Sequence, residues 1–314
     1  MVETAAPVFV YGALRSGTTM FRLMLNGHPA IFNPGEVDFL FDHLHPDPGH
    51  PTGWRYDRRA LAAGRIFRAH GLPLEEGLEG TDLLAGMIGR FRARDPRAVL
   101  TMNLHRHAAL MAELLPEAKV IHMLRDPRDV ARSCIGMGWA GTGYHGVGAW
   151  IDTERDWDRA ASRLDPARVL TLPFEALMAD LDGQLGRVCD FLGLPMHPGM
   201  LRYHETSSYG PPEPGIAQRW RRKARPAEIS LIEGRCAGLM AARGYPPEIG
   251  PRRPGPAARA GLEAAHRLRR WRFNIRRFGL PLFLAGHLSR LPGLDRWRGR
   301  IRHRMELIEI ANLK

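Results

Sequence analysis

Four short apolar runs, each followed by a pattern typical of a helix, constrain the fold of this chain most. The runs are PVFVYGA (7–13), AVLTMN (98–103), AKVIHMLR (118–125) and ARVLTLPF (167–174). They carry β-branched residues and are nearly continuously apolar, which is typical of strands covered on both faces. Helical patterns follow them over 18–27, 107–115, 127–135 and 175–192. The sequence therefore predicts an α/β fold of three layers, with a central parallel sheet covered by helices.

A glycine-bounded loop joins the first run to its helix. Gly12 and Gly17 in GALRSGTT have the G-x-x-x-x-G spacing of a phosphate-binding P-loop. Such glycines let backbone N–H groups turn toward an anion, and the following helix adds the positive end of its dipole. Cationic and hydroxyl groups come from Arg15, Ser16, Thr18 and Thr19. Because Thr18 replaces the lysine of nucleotide triphosphatases, the loop fits a single phosphate held without metal.

A second anion-binding motif ends the third run. In VIHMLRDPRDVARS (120–133), Arg125 closes the strand and Ser133 lies two turns into the next helix. Ligands of parallel sheets bind beyond the carboxyl ends of the strands, and both motifs fall there. We therefore expect Arg125 and Ser133 to approach one anion.

In these motifs the chain resembles the sulfotransferases that use 3′-phosphoadenosine 5′-phosphosulfate (PAPS), in particular their glycan, tyrosyl-protein and bacterial branches. The resemblance covers roughly residues 8–246 and rests on five motifs in the same order. These are RSGTT, HP…PGE, RDPRDVARS, LPFEALMADLDGQLGRVCDFLGLP and RWRRK.

The resemblance implies a P-loop-like fold and a metal-independent, in-line transfer. The sulfuryl group would pass from PAPS to a hydroxyl or amine, leaving 3′,5′-adenosine bisphosphate (PAP). It implies that the 5′-phosphosulfate is held by Arg15, Ser16, Gly17, Thr18 and Thr19. It also implies that Arg125 and Ser133 hold the 3′-phosphate, and that Arg222 and Lys223 belong to a late basic loop over the donor.

Two residues compete for the role of general base. Glu36, in HPAIFNPGE, matches the glutamate base of the glycan and tyrosyl-protein branches. His105, in TMNLHRH, stands where the cytosolic branch has a histidine base. Many relatives also carry a lysine at the end of this strand, where this chain has Asn103. Charge stabilisation would then depend more heavily on Arg15, which we also expect to act on the reacting group.

Charge divides the chain in two. Residues 251–314 hold 16 basic and 4 acidic side chains, whereas residues 1–250 hold 29 of each. The sequence therefore predicts a PAPS-binding domain over 1–250 and a basic helical extension over 251–314. Within the first, residues 37–97 are expected to form a helical insertion near the acceptor site.

The extension carries two apolar seams at helical spacing. Arginines surround them in both stretches, and the apolar residues are Leu268, Trp271, Ile275 and Phe278, then Leu294, Trp297, Ile301, Met305 and Ile308. Such seams either pack on the body or a second copy of the chain, or insert into an anionic membrane surface. Nucleic acid is the less favoured partner, because the neutral body contains no recognition module.

The remaining expectations concern compartment, acceptor and rival functions. Three scattered cysteines, and an N-terminal stretch without the pattern of a signal peptide, favour the cytoplasm. The acceptor is a small molecule, a glycan or a lipid-linked sugar. The alternative functions are a P-loop nucleotide kinase, which Thr18 disfavours, and a non-catalytic nucleotide- or nucleic-acid-binding protein.

Overall fold

The computed structural model describes residues 6–205, 207, 209–211, 214–291 and 294–311. The strands are β1 (Val8–Tyr11), β2 (Ile31–Phe32), β3 (Leu44–Pro46), β4 (Trp54–Tyr56), β5 (Val99–Leu104), β6 (Lys119–Leu124) and β7 (Val169–Pro173). The first helices are α1 (Thr18–Asn26), α2 (Phe39–Asp42), α3 (Arg58–Ala63), α4 (Arg65–His70), α5 (Gly80–Arg94), α6 (Ala108–Leu114), α7 (Pro127–Gly136) and α8 (Gly143–Gly146). The later helices are α9 (Gly148–Ala161), α10 (Phe174–Ala179), α11 (Leu181–Leu192), α12 (Trp220–Lys223), α13 (Pro226–Ala242), α14 (Pro256–Phe278), α15 (Leu280–Leu288) and α16 (Asp295–Ala311).

Five parallel strands form the central sheet in the order β2-β5-β1-β6-β7. Val8 lies opposite Thr101 on one side and Lys119 on the other, so β1 is the middle strand. The strands β3 and β4 form a separate antiparallel pair. The predicted parallel α/β fold is confirmed, and so is the helical character of the C-terminal extension.

Side chains of β1 alternate between two apolar clusters, as the period of a strand requires. Phe9 and Tyr11 share one cluster with residues of α5 and α6, while Val8 and Val10 share the other with residues of α1 and α11. Helices thus bury both faces of the sheet. This arrangement brings the carboxyl ends of β1, β2, β5 and β6 to one edge.

Most predicted elements are found within about two residues of their expected bounds, with three differences. The pattern over 175–192 forms two helices, because the Asp180 side chain accepts a hydrogen bond from the Gly183 amide and starts α11 anew. The segment 37–97 contains the β3–β4 pair besides helices. A further helix, α15, forms over the apolar run Leu280–Leu288, which lies between the two predicted seams.

The described residues belong to two compact units. The first comprises residues up to Asp126 together with Ala149–Gln218, and it contains the whole sheet. The second comprises Pro127–Gly148 and the chain from Arg219 onward. The predicted extension 251–314 falls within the second unit, and the domain boundary near residue 250 stays a prediction.

A buried ion pair organises the second unit. The guanidinium of Arg128 lies over the Trp220 ring and donates to Glu233 Oε1 at 3.0 Å. The Glu233 carboxylate also accepts the backbone N–H groups of Glu248 and Gly250. Because each buried charge has its partners, the pair ties the middle of α13 to the chain that leads into α14.

Candidate active site

The loop between β1 and α1 presents a helix start and a buried hydroxyl group that has no partner in the described part of the chain. Gly17 precedes α1 at a positive φ of 95°, and no side chain caps the helix. The first amides of a helix have no acceptor inside it, so this end offers N–H donors to an anion. The buried Ser16 Oγ has no hydrogen-bond partner among the described residues. A Cβ on Gly17 would lie 2.4 Å from the Phe174 ring, so only glycine fits there.

Arg125 braces the same loop from the end of β6. Its guanidinium lies over the Phe174 ring, 4.2 Å from the centroid, and donates to the carbonyls of Arg15 at 2.9 Å and Ile216 at 3.1 Å. Arg15 itself has a positive φ of 75°. The two arginines that the sequence selected thus meet at one loop.

Glu36 lies in a tight turn fixed to the end of β5. The Asn33 amide donates to Asn103 Oδ1 at 3.0 Å, and Asn33 Oδ1 accepts the N–H of Gly35 at 2.8 Å. Asn103 in turn donates from its amide to the Thr18 carbonyl at 3.2 Å. Its backbone forms a parallel bridge with Glu36. Asn103 therefore links the Glu36 turn to the first residue of α1.

A cavity of about 210 Å³ opens beside this turn. Glu36, Thr19, Arg22 and Asn103 contribute polar groups to its wall. Helix α4 contributes His70 and apolar side chains, so the segment 37–97 helps to form the cavity. Burial lowers the pKa of His70, and its Nε2 lies 2.9 Å from the Glu36 carbonyl oxygen.

His105 is buried behind the loop, with 4% of its surface exposed. Its Nδ1 lies 3.0 Å from Asp38 Oδ2 and its Nε2 lies 3.2 Å from Thr18 Oγ1. Burial alone would raise the pKa of Asp38, but the hydrogen bond and charge of His105 outweigh it and hold that pKa below its usual range. Both ring nitrogens of His105 are thus engaged inside the protein.

The other predicted donor-binding residues lie in the second unit. Ser133 is on α7, and Arg222 and Lys223 are exposed on α12. Their assignment to the donor stays a prediction.

Three polar residues of the first unit were not predicted from the sequence. Asp38 pairs with His105, Arg22 faces the cavity, and His70 bonds the Glu36 backbone. Only Arg22 had a sequence signal, since it lies three residues after Thr19 and so on the same helix face. No group of three or more His, Cys, Asp or Glu side chains in the described ranges could hold a metal ion.

The profile of the Sulfotransferase family matches residues 7–198, which include both anion-binding motifs and the Glu36 turn. The chain belongs to this family. Membership confirms the resemblance drawn from the five motifs.

Several curated relatives in sequence carry sulfotransferase names. The omega-hydroxy-beta-dihydromenaquinone-9 sulfotransferase of Mycobacterium bovis is 34% identical over 98 residues, which are 27% of this chain and 25% of that protein. A putative protein-tyrosine sulfotransferase of Caenorhabditis briggsae is 26% identical over 208 residues, which are 63% of this chain and 69% of that protein. The match spans only 27% and 25% of the length of two of the curated relatives.

Among solved structures, the sulfotransferase domain from the curacin biosynthetic pathway is similar in fold. Its TM-score is 0.55 at 18% identity, and the match covers 76% of this chain and 98% of that domain. This likeness supports the sulfotransferase-like α/β fold. None of the described helices has the length and apolar character needed to span a membrane.

Proposed function

We propose that this protein transfers a sulfuryl group from PAPS to a hydroxyl or amine of an acceptor, without a metal ion. The proposal rests on one observation, namely that two features of the first unit lie side by side. An uncapped helix start with the orphaned Ser16 hydroxyl adjoins a cavity whose wall includes Glu36. The first feature fits an anionic donor, and the second fits an acceptor beside a base.

The loop residues fit the donor group by group. The N–H groups at the start of α1, the Ser16 hydroxyl and the Arg15 guanidinium would hold the 5′-phosphosulfate. When bound, PAPS supplies the activated sulfuryl group. Arg125, Ser133, Arg222 and Lys223 are proposed to bind around the 3′-phosphate, as the family resemblance implies.

Glu36 is proposed as the general base and Arg15 as the main source of charge stabilisation. The Glu36 carboxylate would accept the proton of the acceptor while the new O–S or N–S bond forms and the bond from sulfur to the leaving phosphate breaks. Arg15 and the helix-start amides would stabilise the negative charge that grows on the transferring and leaving oxygens. His105 is better suited to hold Thr18, because both of its ring nitrogens are engaged.

The acceptor is proposed to be a small molecule, glycan or lipid-linked hydroxyl compound that enters beside α4. One relative is named for a menaquinone and another for protein tyrosine, so sulfotransferases similar to this chain differ in the acceptor for which they are named. We propose a cytoplasmic setting, which the three buried thiols of Cys134, Cys189 and Cys236 support.

Binding of PAP tests the donor side without knowledge of the acceptor. PAP should raise the melting temperature, since a ligand at about 100 times its Kd stabilises by about 2.7 kcal/mol, while Mg-ATP should not. Arg125→Ala should reduce this shift and Glu36→Gln should keep it. Equal stabilisation by Mg-ATP would contradict the proposal and favour the kinase alternative.

A screen of hydroxyl acceptors with radiolabelled PAPS tests the transfer itself. Activity should persist in a chelator and fall by about 100-fold or more in Glu36→Gln. Transfer that a chelator abolishes would contradict the metal-independent reaction.

A further inference from the structure

Exposed apolar side chains are concentrated in the basic extension. Ten large apolar residues are exposed among the described side chains, and eight of them lie between Leu268 and Leu307. A cluster of exposed apolar residues on a protein surface commonly marks an interaction site, whereas apolar residues that are exposed singly do not.

Helix α14 docks on the second unit through the face opposite its apolar seam. Gly138 and Gly141 of the glycine-rich segment lie against Phe273 and His266, where a Cβ on either glycine would clash. Glu263 lies 2.9 Å from His145 Nε2 on the same side. The seam residue Leu268 consequently remains 57% exposed.

Helix α15 has an inner face, which packs on α14, and an outer face, which is exposed. Phe283 is buried against the Trp271 ring of α14, with the centroids 6.3 Å apart. The outer face carries Leu280, Leu284 and Leu288, which are spaced by four residues and all exposed. They form a single apolar stripe along the helix, since residues four apart share a face.

The extension that carries this apolar stripe is strongly basic. Residues 251–314 hold a net charge of +12, and all but one of the basic residues are arginines. Arg276 and Arg290 flank α15 in the sequence and are exposed. A segment that combines exposed leucines with exposed arginines matches the two requirements of a bilayer-surface helix, namely apolar insertion and attraction to anionic headgroups.

We propose that α14 and α15 bind the surface of an anionic lipid bilayer, with the outer leucines of α15 inserted between the headgroups. A second copy of the chain is a poorer occupant, because facing extensions would bring two charges of +12 together and the rest of the chain is neutral. Nucleic acid would satisfy the arginines but not the leucines. This inference is independent of the proposed reaction.

Vesicle co-sedimentation of the full chain tests the proposal. The protein should sediment with phosphatidylcholine vesicles that contain roughly 30% phosphatidylglycerol, and not with pure phosphatidylcholine, because attraction to anionic lipid is required. The double substitution Leu284→Glu and Leu288→Glu should lower the partition coefficient about tenfold or more. Ile249→Glu is the matched control, since Ile249 is equally exposed outside these helices and should leave partitioning unchanged.

Two double variants test whether binding depends on the positive charge of the extension. Arg276→Gln with Arg290→Gln should weaken binding to the anionic vesicles, whereas Arg59→Gln with Arg187→Gln, two exposed arginines of the first unit, should not. Melting temperature and circular dichroism verify that every variant is folded.

Three results would overturn the proposal. The first is failure of the folded full chain to sediment with anionic vesicles. The second is sedimentation that the leucine variants leave unchanged, which would mean contact through charge alone, as with duplex DNA. The third is a doubled mass without lipid that Leu284→Glu abolishes, which would assign the stripe to a second copy.

Discussion

Glu36 is the residue whose role is most sharply testable. It faces the cavity beside Thr19, and no other carboxylate is among the cavity residues of the described chain. Loss of a general base costs on the order of 10²–10⁴ in rate, so Glu36→Gln should lower kcat by this range. Its KM for PAPS should change little, because the carboxylate is proposed to act on the acceptor.

His105→Gln serves as the comparison for this experiment. If His105 only holds Thr18, its replacement should raise KM for PAPS more than it lowers kcat. A mild effect of Glu36→Gln together with a severe fall of kcat in His105→Gln would transfer the role of base to His105.

Asn103 is expected to be irreplaceable even by the lysine that many relatives carry. Its amide donates to the Thr18 carbonyl while its oxygen accepts from Asn33, and a lysine cannot accept a hydrogen bond. Asn103→Lys should therefore free the Glu36 turn and lower kcat, as steady-state kinetics can measure. Asn103→Asp keeps the acceptor and loses only the donor. A gain in kcat for Asn103→Lys would show that the missing charge matters more than the turn.

The sequence predicted the residues of this site that lie in local motifs and missed those defined by distant contacts. Arg15 and Glu36 stand in readable motifs at strand ends. Asp38 bonds a histidine 67 residues away, and His70 bonds a carbonyl 34 residues away. No local periodicity records such pairings, because they arise only when the sheet brings the strand ends together.

At the scale of elements, the glycine-rich segment 136–150 illustrates the same limit. Its sequence shows glycines and aromatic residues but does not identify the element that packs against them. The structure shows that its glycines permit the close approach of α14. The strands were predictable from their continuous apolar character, whereas the face on which a helix docks depends on its partner.

Gly141→Ala should loosen α14. Its new methyl would lie 2.3 Å from the His266 carbonyl oxygen, and such overpacking typically costs about 1–3 kcal/mol. Hydrogen exchange over 256–278 should accelerate accordingly. Gly136→Ala is the control, since nothing lies within 4 Å of its added Cβ. Equal exchange in both variants would contradict close docking at Gly141.

At the scale of the whole molecule, the charge is the most informative property. A net charge of +12 by itself suggests nucleic acid, but its confinement to residues 251–314 leaves residues 1–250 neutral. The sequence could locate this asymmetry by counting. The sequence could not show which apolar residues of the extension are buried by packing, because one face of α14 is docked while another stays exposed.

The attachment of this charged extension to its unit should depend on pH. Gly141 donates its N–H to Nδ1 of His266 at 3.1 Å, which requires that nitrogen to be unprotonated. Burial lowers the pKa of His266, and the charges of His145 and Arg270 lower it further. The hydrogen bond and charge of His145 lower the pKa of Glu263, and the charges of His266 and Arg267 lower it further.

A lowered histidine pKa means that the undocked state takes up the proton first as pH falls. Docking is therefore fully stable above the ordinary histidine pKa of about 6.5 and weakens as pH falls through the lower folded value. Glu263 adds a further loss only at more acidic pH, below the ordinary glutamate range. Exchange of the amides over 256–278, corrected for intrinsic rates, should thus accelerate as pH falls below about 6.5. His266→Gln keeps an acceptor without a titrating group and should abolish this dependence, whereas His45→Gln, at an exposed site in the first unit, should preserve it. Persistence of the acid effect in His266→Gln would mean that another group controls how the extension is held.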